Sequence, residues 1–151
     1  MKTLFKILVF GSLSLVAFFI AMIAIAALTS VDKAEVFEPY LIETVPKLVK
    51  WEHQTFKDLM TQDAYNTAKP EQWDLYIKKL STLGALKSFE QAELQNWHST
   101  ANIGSASATY ATYIVPMAFD TGPAHLTLTL VSSNDKTLIH SIKFSSDILM
   151  Q

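Results

Sequence analysis

Ala124-His125-Leu126-Thr127-Leu128-Thr129-Leu130-Val131 alternates leucine with threonine over the length of a strand. Side chains along a β-strand point to opposite faces in turn, so Leu126, Leu128 and Leu130 share one face while Thr127, Thr129 and Val131 share the other. One face needs a cover and the other tolerates water, which is the pattern of an antiparallel sheet packed on one side. Before this strand, Asp120-Thr121-Gly122-Pro123 reads as a turn. Ser107 to Phe119 before that is a strand rich in Thr, Tyr, Ile and Val, with Ala111, Tyr113, Val115, Met117 and Phe119 on one side. Pro116 implies a bulge or an edge position there, because proline donates no ladder hydrogen bond. After it, the turn Ser132-Ser133-Asn134-Asp135 leads into Leu138, His140, Ile142 and Phe144, which alternate with Ile139, Ser141, Lys143 and Ser145. Short turns join antiparallel neighbours, so the tail is a meander of three strands, with Leu86 to Leu94 as a fourth candidate. Gln95 to Ser107, containing Asn96, Asn102 and Gly104, reads as a loop.

The cover must come from upstream. Leu48, Val49, Phe56, Leu59 and Met60 recur at three- and four-residue spacing, which predicts an amphipathic helix from Pro46 to about Met60. Pro70 suits the first turn of a second helix, with Trp73, Tyr76, Ile77, Leu80 and Leu83 along one face and Gly84 as its stop. Glu38-Pro39 and Val45-Pro46 mark helix starts or kinks in a connector that precedes both.

Ile7 to Leu28 is a nearly continuous apolar run without a charge. As a helix such a run spans about 33 Å, enough to cross a hydrocarbon core of about 30 Å. Lys2 and Lys6 precede it and Asp32, Lys33, Glu35, Glu38 and Glu43 follow it, which predicts a cytoplasmic N-terminus and an exported, periplasmic or extracellular remainder. The expected organisation is a transmembrane signal-anchor over residues 1–30 and one exported domain over residues 31–151. The competing reading is a cleaved signal peptide with Ala24-Ile25-Ala26 as the cleavage site, releasing a secreted domain. The run is longer than a usual signal-peptide core, which favours the uncleaved anchor.

Composition excludes several functions. The chain has no Cys, hence no disulfide, thiolate metal site or thiol catalysis. It has no Arg, and the exported part holds ten Lys against fourteen acids, a formal charge of −4. Nucleic acid is therefore not an expected partner. His53, His98, His125 and His140 stand at no metal-pair spacing, so no metal or other cofactor is expected. Gly104-Ser105-Ala106-Ser107-Ala108 lacks the second glycine of a nucleophile elbow.

The fold class that follows is α+β: an N-terminal transmembrane helix, then two or three helices packed on a curved antiparallel sheet of three to four strands. The order of elements resembles the cystatin-like and nuclear transport factor 2-like domains. So do Leu83-Gly84-Ala85-Leu86-Lys87-Ser88-Phe89, Phe119-Asp120-Thr121-Gly122 with Ala124 to Leu130, and Ile142-Lys143-Phe144-Ser145-Ser146. Those families include membrane-tethered bacterial domains of unknown function and proteins similar to cytochrome oxidase assembly factor 1. The resemblance covers about residues 70 to 147, and it departs at Lys136-Thr137-Leu138-Ile139-His140, where many such domains carry a Trp. It implies an assembly partner at a membrane, or a pocket that binds or transforms a small apolar molecule; it transfers no catalytic residue.

No residue is assigned a catalytic role by the sequence. His140, on the same side as Leu138, Ile142 and Phe144, together with Trp73, Tyr76, Tyr113 and Phe119, forms the candidate set for an apolar pocket of isomerase-like type. A packed core is the simpler use of such residues. Trp97-His98, an aromatic pair in a polar loop, is the candidate contact for a partner, a lid or a membrane surface. The leading expectation is a non-enzymatic binding or assembly module. Its partners are the lipid bilayer, through Ile7 to Leu28, and another membrane protein.

Overall fold

The computed structural model describes residues 33–101 and 106–151. The chain starts there with a helix, α1 (Lys33–Leu48), followed by α2 (His53–Leu59), α3 (Gln62–Tyr65) and α4 (Pro70–Ser81). Five strands follow, β1 (Leu86–Phe89), β2 (Glu93–Thr100), β3 (Ala108–Phe119), β4 (Gly122–Ser133) and β5 (Lys136–Ser145), and a 3-10 turn over Asp147–Met150 ends the chain. The α+β class is the expected one, and residues 33–151 make one compact unit. The run Ile7 to Leu28 lies outside the described residues. Among the described residues no helix is long and apolar enough to cross a membrane.

Phe37, Leu41, Val45 and Leu48 recur every three or four residues on α1 and are all buried. Pro39 and Pro46 sit inside this helix on its exposed side, where the lost N–H donors leave the buried stripe intact. The helix expected from Pro46 to Met60 is thus two pieces, separated by a break at residues 49–52. Trp51 makes the break. Its φ of 58° is left-handed, a conformation that costs a bulky residue on the order of 1–3 kcal/mol. Burial of its ring offsets that strain, because the indole stacks on Phe119 at 6.0 Å and meets Phe144 edge-on at 5.3 Å. On α4, Pro70 opens the helix as expected, the Gln72 side chain accepts the Lys69 N–H at 2.8 Å, and Trp73, Ile77 and Leu80 are buried.

Gly84 ends that region with φ 79°. The β3–β4 turn clasps this corner: the Thr121 hydroxyl donates to the Leu83 carbonyl at 2.8 Å, and the Asp120 N–H donates to the Ala85 carbonyl at 3.0 Å. The β4–β5 turn is a two-residue hairpin through Asn134 and Asp135, both at positive φ.

The sheet is wholly antiparallel, with β3, β4 and β5 side by side and both β1 and β2 paired to the free side of β3. It therefore has five strands where the sequence pattern predicts three to four. The loop expected over residues 95–107 begins with a strand, β2, every residue of which is exposed. A strand wet on both faces shows no alternation, and periodicity cannot reveal it. Pro116 accounts for the division between β1 and β2. Its carbonyl accepts the Glu90 N–H at 2.9 Å, so its own nitrogen points the same way, toward residues 90–92 where the edge ribbon breaks. The missing donor falls on the broken side, and the pairing with β4 runs without a gap from Thr109 to Phe119.

A second irregularity corrects the reading of β5. The register shifts between Thr129 and Leu130, so Leu130 pairs with Ile139 while Thr129 pairs with Ser141, and His140 is the extra residue. Ile139 is buried in the core and His140 is exposed, the reverse of the expected alternation.

Candidate functional site

The five side chains expected to line one pocket divide among separate places. Tyr113 is buried against Phe37 on α1, ring centres 6.2 Å apart. Phe119 lies under Trp51. Trp73 stacks on Tyr65 at 5.4 Å, meets Tyr76 edge-on at 6.0 Å, and donates its indole N–H to the Tyr65 carbonyl at 2.8 Å. The Tyr76 hydroxyl accepts the Phe144 N–H at 3.5 Å, and burial raises this phenol's pKa above the ordinary value. Burial acts likewise on Tyr40 of α1, against a smaller opposing effect of the Thr44 hydroxyl. On the surface of α1, Lys47 hydrogen-bonds the exposed Glu43 carboxylate at 2.5 Å and lowers its pKa.

His140 and Trp73 do meet, on an open groove of about 230 Å³ that also touches Met60, Ala64 and Ile142. On the other side His140 faces the outer surface of the sheet. There Tyr110 lies between two imidazoles, stacked on His98 at 4.9 Å and edge-on to His140 at 5.2 Å. An open depression of about 300 Å³ beside this row is edged by Asp63, Lys136 and Leu138.

Trp97 and His98, read as one contact pair, point to opposite faces. Trp97 pairs with buried Ala111 and so shares the helix-covered face, whereas His98 pairs with Tyr110 on the outer face. Leu94, paired with Tyr113, also lies on the covered face. Yet Leu94 and Trp97 are 43% and 46% exposed.

Between α1 and the break in the edge ribbon lies an open, largely apolar trough of about 320 Å³, walled by Leu41, Ile42 and Val45 on one side and by Phe89, Gln91 and Ala92 on the other, with Val115 also lining it. Ile42 on its rim is 65% exposed. Sequence reasoning missed this site because it depends on where the edge ribbon breaks. The only local sign was Pro116.

Sequence reasoning also missed a hydrogen-bonded trio. His53 opens α2; its Nδ1 meets the Asp74 carboxylate of α4 at 2.6 Å and its Nε2 bonds the Tyr65 hydroxyl of α3. The three residues lie on three helices and are far apart in sequence, so no spacing announces them. The trio ties the short helices together, and Tyr65 carries that connection onto Trp73. Among the described residues no cluster of His, Asp and Glu has the geometry to hold a metal ion.

No family model matches the chain, and no curated protein matches it. Among solved structures, a chain named as an NTF2 protein with five substitutions is similar at 14% identity. It covers 71% of this chain and 95% of its own, with a TM-score of 0.37. At that level of overlap the likeness carries no weight for function.

Proposed function

We propose that this chain is a non-enzymatic, membrane-anchored binding module, in which the exported domain docks an apolar segment of another membrane protein on its uncovered edge. One observation supports the reading above all. Leu94, on the core-facing side of β2, is 43% exposed and lies two residues along the chain from Ala92, which lines an apolar trough. Exposed apolar surface beside a groove is characteristic of interaction sites. The run Ile7 to Leu28 supplies the anchor in this reading, with the N-terminus in the cytoplasm and the domain periplasmic or extracellular. Confinement to the bilayer surface raises the effective concentration of a membrane-bound partner, which gives so small a domain a reason to be tethered.

The test is affinity isolation from detergent-solubilised membranes with the wild type and with Leu94→Lys. A partner retained by the wild type and lost with the variant is the expected result, together with a full-length mass for the membrane-bound protein. A partner held equally by both, or a mass shortened by cleavage near Ala26, contradicts the proposal.

A further inference from the structure

The trough between α1 and the edge ribbon carries charge as well as apolar surface. Glu38 on α1 and Glu90 in the break of the ribbon both line it, one on each wall, with the uncharged Gln91 beside them. Neither carboxylate takes part in any ion pair among the described residues. Lys47, a cation farther along α1, is engaged by Glu43. Glu35 lies one turn before Glu38 and Glu93 three residues after Glu90, both exposed, while Lys87, three residues before Glu90, lies 3.9 Å from the Asp120 carboxylate.

Two carboxylates bordering an apolar surface are a recognition pattern. An occupant that fills the trough removes water from around Glu38, which is already half-buried, and leaves its charge uncompensated unless the occupant brings a cation. An apolar peptide with neutral or acidic ends therefore meets a desolvation penalty that a peptide with basic ends avoids. Rim charges of this kind select partners and accelerate encounter.

Building on the docking reading, we propose that the segment bound in this trough is an apolar stretch of another protein bracketed by Lys or Arg, its cations placed against Glu38 and Glu90. The apolar side chains enter between Leu41, Val45, Phe89 and Ala92, and the cations meet the two walls. The proposal fixes the chemistry of the partner, which the docking reading leaves open.

Two fluorescent synthetic peptides with the same Leu- and Phe-rich centre, one with Lys at both ends and one with Glu, test it against the full-length chain in neutral detergent micelles. The Lys-ended peptide is expected to bind at least about tenfold more tightly, with the advantage shrinking as salt is raised. A Glu38→Lys, Glu90→Lys double variant is expected to reverse the preference, and circular dichroism establishes that it folds. Equal binding of both peptides, a preference unchanged in the double variant, or binding of neither overturns the assignment of a cationic partner. The docking reading fails separately, if Leu94→Lys leaves capture of the native partner unchanged.

Discussion

At one edge of the sheet, β5 is held by the helical layer at Ile139: Met60 bridges to Ile139, and the Thr61 N–H donates to the Ile139 carbonyl at 2.8 Å. At the other edge β2 is exposed along its whole length, and among the described residues nothing pairs with its outer side. An unpaired edge is a template for association, and proteins commonly blunt one with bulges or charges. Here the β1–β2 ribbon carries register shifts between Leu86 and Ser88 and between Leu94 and Asn96, and breaks between its two strands, so it resists indiscriminate pairing while Leu94 stays 43% exposed. The comparison separates two roles that one sheet can hold. The β5 edge shares the folding core, and in the proposed reading the β2 edge is the surface that binds.

Single substitutions put this contrast to the test. Ile139→Ala at the closed edge is expected to lower stability by about 2–5 kcal/mol, because it leaves a cavity against Leu130. Gly84→Ala is next. It forces a side chain into φ 79° with its Cβ 3.3 Å from the Asp120 Cβ, an expected loss of about 1–2 kcal/mol. His53→Ala deletes the link between Asp74 and Tyr65 and is expected to destabilise by about 1 kcal/mol, since the site is partly open to solvent. Leu94→Ala at the open edge is expected to cost less than about 1 kcal/mol while weakening partner capture. Urea unfolding of the detergent-solubilised chain measures all four, and a Leu94→Ala loss as large as that of Ile139→Ala would erase the distinction between the edges.

The pH dependence has a definite sign. Burial raises the Tyr76 and Tyr40 pKa values, so the unfolded chain ionises these phenols first. Their contribution to stability is intact below the unfolded value of about 10 and declines as pH rises from there through the raised folded values. Tyr76→Phe is expected to make that alkaline decline shallower, with the Tyr40 share remaining, when stability is followed by urea titration at stepped pH.

The closed part of the molecule was legible in the sequence because burial imposed a period on it. Leu126, Leu128 and Leu130 alternate since all three face the helices, and Trp73, Ile77 and Leu80 recur with the helical turn for the same reason. The open part left no such mark. Glu93 to Thr100 meets water on both faces, so nothing selected an alternation there. Trp97 stood out only as an aromatic in polar surroundings. Its face, and its separation from His98, depend on a register that only pairing with β3 defines. His140 was misplaced for a related reason, since one extra residue in β5 inverts the phase and no local residue type signals the bulge. The trough escaped because it requires α1 and the ribbon break to face each other, a relation between residues some fifty positions apart.

The most direct measurement places a photo-activatable amino acid at position 94 or at position 75 of the full-length protein in living cells. Leu75 is 68% exposed on α4, which makes it a surface control more open than Leu94. The account predicts a discrete, reproducible adduct with a membrane protein from position 94 and none from position 75. Adducts of equal yield at both positions, or an adduct from position 75 alone, would contradict it.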